Sequence, residues 1–270
     1  MKIIKASGEK ETFNPAKLSR SIQRTGAAKQ AVEETVRDVK KKIKTNVSTE
    51  QIFRLTQSRL ARYEPKAAIR YSLKKALFDL GPTGYPFEKY IAQVLQKYEY
   101  QTKTNQYIKG KCVSHEVDVL ARKDGRMYFI ECKYHNHGGG SSNIKVALYT
   151  YARYLDLKNS LDYWQDEKFS WLITNTRCSG DCLAYAECVG LKVTAWHYPE
   201  NGGLEHLIEA NEIYPITIFR GLGRHVIERL IEHNFILASD VLKRKGALKK
   251  TGLPKKIQTK LIEQATILFA

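Results

Sequence analysis

A chain of 270 residues with 43% hydrophobic and 27% charged residues has the make-up of folded domains, and its length leaves room for two or three of them. No run reaches the roughly 18 apolar residues of a membrane span. The start MKIIKASGEKET lacks the apolar run and small-residue cleavage site of a signal peptide, so a cytoplasmic protein without a membrane partner is expected. The net charge of +17 is unevenly spread: residues 1–80 carry 19 Lys/Arg against 8 Asp/Glu, residues 81–210 carry 15 of each, and residues 211–270 carry 11 against 5. Two basic ends around a neutral middle suit polyanion contact at the ends and acidic chemistry between them. Solvated lysine faces are the plainer alternative. Five cysteines, Cys112, Cys132, Cys178, Cys182 and Cys188, form an odd set without an export signal and read as reduced thiols.

In chain order, residues 2–5, a turn at Ser7-Gly8 and a second stretch ending at Phe13 predict a small hairpin. Asn14-Pro15 then supplies an N-cap and a first-turn proline, with Leu18, Ile22 and Thr25 at helical spacing. Helices are predicted over residues 31–43, 52–63 and 65–80, the second behind a Ser48-Thr49-Glu50-Gln51 cap. The breakers Gly81-Pro82-Thr83-Gly84 place a domain boundary after residues 1–81. A helix over 87–97 opens the middle segment, and strands at 113–121, 127–134, 170–174 and 192–197 alternate with helices at 145–157 and 181–189. That order predicts a mixed sheet covered on both faces over residues 84–203. After Asn201-Gly202-Gly203, residues 211–270 read as helical, with pieces at 223–233, 239–245 and 254–266 and no internal repeat. The fold class is therefore multidomain α/β: a hairpin on a helical bundle, a mixed sheet with flanking helices, and a helical tail.

The chemistry concentrates in HEVDVLARKDGRMYFIECKYH. Asp124-Gly125 is suited to a two-residue type I′ turn, which sets 123 opposite 126 and, counting outward, Asp118 opposite Glu131 in a pair whose side chains lie close. Two facing carboxylates in an apolar ribbon are costly unless a cation or a proton is shared between them. Lys133 falls on the same face as Glu131 and Cys132 on the other. Carboxylate oxygens suit Mg²⁺ or Mn²⁺, and a neighbouring lysine suits an attacking water and phosphate charge. Glu88, early in the preceding helix, adds a carboxylate. The alternative is an ordinary hairpin in which Lys133 pairs with Glu116. His135 and His137 follow, either as phosphate contacts or as loop residues, and Gly138-Gly139-Gly140-Ser141-Ser142 predicts a mobile loop beside the site.

Glu88, Asp118 and Glu131-Cys132-Lys133 together resemble the PD-(D/E)xK nucleases, nearest to Mrr-like restriction endonucleases, over about residues 84–200. Val117 stands where that signature has proline. The resemblance implies a metal at Asp118 and Glu131, Lys133 as catalytic lysine, and a hydrolysed phosphodiester. The beginning IIKASGEKETFNPAKL, the later STEQI and the closing YSLKK resemble an ATP-cone, the regulatory domain of ribonucleotide reductases, over residues 1 to about 80. This second resemblance implies that Ile3, Lys5, Gly8, Glu11, Asn14, Lys17, Leu18, Thr49, Ile52 and Lys75 surround ATP or dATP, with Ala6 where the family usually has arginine. A basic bundle docking DNA or a partner is the alternative. No P-loop motif occurs, so a motor is not expected.

In the tail, Lys249, Lys250, Lys255 and Lys256 flank Thr251-Gly252-Leu253-Pro254 and a helix N-terminus, resembling a helix-hairpin-helix module for phosphate backbones; an oligomerisation bundle is the alternative. The spacing of Cys178, Cys182 and Cys188, with His197 beyond, favours buried thiols over zinc, and Trp164, Trp171 and Trp196 read as core or strand aromatics. The expected protein is a Mg²⁺- or Mn²⁺-dependent DNA endonuclease regulated by ATP or dATP, acting as a dimer or higher oligomer. The competing expectation is a nucleotide-sensing DNA-binding regulator whose nuclease-like domain does not cut.

Overall fold

The computed structural model describes residues 1–5, 8–43, 45–159 and 166–270; Ala6, Ser7 of the expected first turn, and Trp164 lie outside it. At the N-terminus β1 (Lys2–Ile4) pairs antiparallel with β2 (Lys10–Thr12), setting Ile3 opposite Glu11. Helix α1 (Pro15–Gln23) begins where Asn14 Oδ1 accepts the Lys17 N–H at 3.1 Å, as its N-cap chemistry requires. Helix α2 (Lys29–Lys42) follows, and then β3 (Val47–Ser48), a two-residue strand parallel to β1 that is too short to show any period in sequence. Helix α3 (Thr49–Tyr63) carries a full capping box, with Ser48 and Gln51 each satisfying the other's backbone N–H at 3.1 and 2.9 Å.

The single helix expected over 65–80 is two, α4 (Pro65–Arg70) and α5 (Leu73–Phe78). The break at Tyr71-Ser72 lets the halves serve different cores. Ala67 and Ala68 join Ile22, Val39 and Leu60 in the N-terminal bundle, whereas Leu73, Ala76 and Leu77 turn into the core beneath the central sheet.

That sheet is built from α6 (Tyr85–Lys97), β4 (Gln101–Lys109), β5 (Ser114–Lys123), β6 (Arg126–Lys133), β7 (Ser141–Ser142), α7 (Ile144–Leu157), β8 (Glu167–Thr174), β9 (Arg177–Cys178), α8 (Gly180–Val189), β10 (Lys192–Thr194) and α9 (Leu204–Ala210). Its order is β10-β8-β6-β5-β4, with β10, β8 and β6 parallel and β5 and β4 antiparallel additions; β7 and β9 pair separately. Strand β4 was not legible because QTKTNQYIK is a polar edge with little alternation, and α9 was missed as well. The β5–β6 turn has φ of 51° at Asp124 and 72° at Gly125, and its ladder runs from Lys123 opposite Arg126 to Val119 opposite Ile130. This is the register expected from the Asp-Gly turn. One face of the sheet, with Ala121, Ile130, Cys132 and Ile173, packs on Phe87, Tyr90 and Ile91 of α6; the other meets α7 and α8.

The tail consists of a 3-10 turn (Ile216–Ile218), α10 (Arg224–Glu232), α11 (Asp240–Lys243), α12 (Lys245–Lys250) and α13 (Lys255–Phe269). Its core is continuous with the α6 face of the sheet, one apolar cluster running from Ile69 to Leu268. Contrary to expectation the tail contains a repeat. Gly221-Leu222-Gly223-Arg224-His225-Val226 and Leu230-Ile231-Glu232 recur as Gly252-Leu253-Pro254-Lys255-Lys256-Ile257 and Leu261-Ile262-Glu263. Each copy opens a helix, with Gly221 and Gly252 at φ of 69° and 72°. The copies also meet reciprocally: a Cβ on Gly221 would lie 2.6 Å from Lys260 Nζ, and one on Gly252 would lie 3.8 Å from the guanidinium of Arg229, the residue equivalent to Lys260. Such exchange of equivalent contacts is the mark of a local two-fold axis.

A side chain at Gly125 must adopt a left-handed conformation, so Gly125→Ala is expected to destabilise the central sheet by about 1 kcal/mol. An unchanged urea midpoint would show that the turn is not strained by a Cβ.

Candidate functional site

Asp118 sits at an interruption in the sheet. Thr104 pairs with Val119 and Gln106 with Val117, but the intervening residues Asn105 and Asp118 leave the ladder, with Asn105 at φ 53°. The faces exchange here as well: Val119 and Ala121 belong to the α6 core, while Val117 packs with Ile108 and Leu120 on the α7 side. From this crossing point the Asp118 Oδ2 accepts the backbone N–H of Cys132 at 2.7 Å, which ties it to β6 one residue beyond Glu131. Glu88 approaches from α6. Glu131 and Lys133 share the α7 side of β6, since the alternate residues Ile130 and Cys132 point into the α6 core.

Desolvation first, and the charge of Glu131 second, push the Asp118 carboxyl up to about 6. Glu88 is raised to about 7, again first by burial and then by the charges of Asp118 and Glu116. Burial, with neighbouring negative charge as the second cause, therefore lets Asp118 and Glu88 keep their protons to higher pH than ordinary carboxylates do. Two residues of α7 that sequence reasoning missed restrain Glu131: the Tyr149 hydroxyl donates to Oε1 at 2.5 Å and the Arg153 guanidinium to Oε2 at 2.6 Å. They lie four apart on one helix, a spacing visible in sequence but uninformative without knowing which face meets β6. Asn105 was missed too; its amide donates to Glu88 at 3.5 Å and Glu116 at 3.3 Å, and its Oδ1 is buried without a partner.

Lys133 makes no ion pair among the described residues. Glu116, its alternative partner, instead accepts from Asn105 and from the Tyr107 hydroxyl at 3.2 Å. No group of three or more His, Cys, Asp or Glu side chains stands ready to grip a metal among the described residues. The physical reason is that Glu131 turns both oxygens to α7 and Asp118 turns one to the Cys132 amide. Carboxylate oxygens are nonetheless the donor type that a hard divalent cation takes, and a cation beside them would favour their ionised form.

The loop after β6 is more constrained than its glycines suggest. Asn175 brackets His135, accepting its N–H at 2.9 Å and donating to its carbonyl at 2.7 Å. Gly140 lies under the His135 ring, where a Cβ would fall 2.4 Å from Nδ1; Gly138 rests on Phe78, and Ser141-Ser142 form β7. His137 is exposed. All five cysteines are free, and Cys188, expected inside, is exposed with Cys112, while Cys132 and Cys182 are buried. Trp171 and Trp196 are core residues.

Of the residues expected around a nucleotide, Ile3, Glu11, Asn14, Lys17, Leu18, Thr49 and Ile52 line a cleft of about 200 Å³. Lys5 and Lys75, again with Thr49, line an adjoining cavity of about 550 Å³. Gly8 lines neither. Glu11 ties the two lysines of the hairpin, at 3.1 Å to Lys5 and 3.7 Å to Lys17, and Lys75 pairs with Asp79 at 2.5 Å. Unforeseen lining residues include Arg24, Arg70 and the stacked rings of Phe53 and Tyr71, 5.4 Å apart. In the tail Lys249, Lys250, Lys255 and Lys256 are all exposed around the Gly252 turn.

Residues 1–78 match the model of the ATP cone domain, and residues 214–269 match the model described as AF1548-like, C-terminal. An uncharacterized protein of Archaeoglobus fulgidus is 39% identical over 176 residues, 65% of this chain and 97% of the relative. The chain belongs to the AF1548-like family. A crystal structure of a protein of unknown function, AF1548, covers 68% of this chain and 97% of its own at 37% identity, with a TM-score of 0.60. This AF1548-like protein is thus a mixed α/β chain that begins with an ATP-cone domain, which points to regulation by a nucleotide. No helix of its described residues is long and apolar enough to cross a membrane.

The raised carboxyls carry a linkage consequence. Below the ordinary carboxylate range both folded and unfolded states hold these protons and nothing is lost; as pH climbs from about 4 to about 7 the unfolded chain ionises first, and folding loses stability. Asp118→Asn keeps an acceptor for the Cys132 amide and removes the penalty. It is expected to raise the melting temperature at pH 8 by about 4 °C, the shift that 1–2 kcal/mol brings at this size, and to leave it unchanged at pH 4. Equal gains at both pH values would contradict the assignment.

Proposed function

We propose that this AF1548-like chain is a nucleotide-regulated, divalent-metal-dependent DNA endonuclease of the PD-(D/E)xK type, acting in restriction or defence. The observation that carries the reading is the gathering of Glu88, Asp118 and Glu131 near the crossing point of the sheet, with Lys133 on the same face of β6 as Glu131. In this reading Asp118 and Glu131 hold Mg²⁺ or Mn²⁺, with Glu88 supporting them. A bound divalent ion would supply Lewis acidity and lower the pKa of an attacking water. Lys133 would then orient the attacking water and offset charge on the phosphate, while Asn105 steadies Glu88. Arg153 and Tyr149 hold both oxygens of Glu131, so binding an ion there would require Glu131 to leave at least one of these contacts.

The tail suits the DNA backbone. Its repeat sets Arg224-His225 and Lys255-Lys256 in equivalent places about a local two-fold axis, matching the opposed strands of a duplex. One observation favours a second reading: both oxygens of Glu131 are already engaged by α7, as in a nucleotide-sensing DNA-binding regulator that does not cut.

Incubation with plasmid and Mg²⁺ separates the two. The nuclease reading expects nicking that depends on the added divalent ion. It also expects a loss of about 10²-fold or more in Asp118→Asn, Glu131→Gln and Lys133→Ala. Nicking that persists in all three variants or in EDTA sinks it, and nucleotide-dependent DNA binding without nicking in any divalent metal supports the regulator.

Binding of a short duplex should weaken with salt. Changing Lys249, Lys250, Lys255 and Lys256 together to Gln is expected to flatten the slope of log affinity against log salt by about 2–4. An unaltered slope would move the DNA contact elsewhere.

A further inference from the structure

The two cavities of the cone meet at Thr49, Phe53 and Tyr71 and differ in character. The smaller is floored by Ile3, Leu18 and Ile52, buried apolar side chains of the hairpin-and-bundle core. Lys5, Arg24, Arg70, Lys74 and Lys75 gather on the larger. An apolar slot opening into a cation-lined chamber has the polarity of a nucleotide, base and sugar in one part and phosphates in the other.

The far wall of the chamber does not belong to the cone. It is made by Gly138 of the loop after β6, by Trp196 and His197 after β10, and by Glu205 and Glu209 of α9. Contacts already cross it. Lys74 Nζ lies 5.2 Å from the centre of the Trp196 ring, and Arg24 reaches His197 Nε2 at 3.2 Å. The same Nε2 lies 2.8 Å from Glu205 Oε2. One imidazole nitrogen cannot both accept from the guanidinium and donate to the carboxylate, so one of these contacts is always poor. A phosphate would end the conflict by taking Arg24 and leaving His197 to donate to Glu205.

We propose that the cone's nucleotide is held jointly by both parts of the chain, its terminal phosphates lying between Arg24 and Lys74 of the cone and the His197–Glu205 pair of the sheet segment. The inference rests on the cone binding a nucleotide and is independent of nuclease activity. It also gives regulation a physical route. The Trp196 N–H donates to the Thr176 carbonyl at 2.8 Å, the neighbouring Asn175 brackets the backbone of His135, and His135 stands two residues beyond Lys133.

Calorimetric titration of the full chain with ATP, ADP and AMP tests this. Arg24→Met and Lys74→Met are expected to weaken ATP about tenfold and AMP less than twofold, as for a lost charge-assisted phosphate contact. Glu205→Gln, which removes a negative charge beside the phosphates, is expected to tighten ATP about fivefold, ADP less, and AMP not at all. His197→Gln provides a second change on the same wall, and circular-dichroism melts confirm that each variant folds. ATP binding that is identical in wild type, Glu205→Gln and His197→Gln overturns the shared site and leaves the cone's own binding standing. Absence of any ATP heat from the wild type overturns both.

Discussion

Like charges brought together inside a sheet must be neutralised somehow, and in this protein that requirement organises everything around Asp118. A type I′ turn fixes the register of β5 against β6 as far as Val119 opposite Ile130, and Asp118 lies just beyond that last pair, its carboxylate on the Cys132 amide rather than squarely opposite Glu131. Three devices offset the repulsion. Protons remain on Glu88 and Asp118 well above their ordinary range, the Cys132 amide supports one Asp118 oxygen, and Arg153 with Tyr149 neutralises Glu131. Each is reversible, so the acids are held together without a permanent counter-charge.

The position of these acids follows from the defect in the sheet. Regular strands would confine Asp118 to one face, but the lapse in pairing with Asn105 places it where groups from α6 and from α7 can both reach it. The local loss of one residue pairing is small beside the benefit of gathering side chains from both layers. Behind the site, the buried Asn175 fixes the outgoing chain at His135, so the strand bearing Glu131 and Lys133 is rigid at its exit.

Features governed by neighbouring residues were legible in the sequence. The Asn14 cap, the Ser48–Gln51 box and the Asp124-Gly125 turn all act within a few positions, and from the turn alone the pairing of the acidic strands could be counted out. Features that depend on a partner distant in sequence were not. Nothing in QTKTNQYIK marks a strand until β5 lies beside it, and nothing in Tyr149 or Arg153 marks a clamp until α7 crosses β6. The repeat in the tail escaped because only the residues that build its turn and core recur, while the exposed positions between them have diverged. The break at Tyr71-Ser72 was hidden for a related reason: an unbroken apolar period says that a segment is buried, not that its two ends are buried in different places.

That break has an architectural meaning. Helix α5 is counted with the N-terminal module by sequence, yet Leu73, Ala76 and Leu77 are masonry in the wall of the neighbouring one. The module that would bind the effector therefore cannot be unplugged like a cartridge. Cutting the chain at the glycines after Leu80 would strip a finished surface from beneath the sheet, so the two modules share a beam.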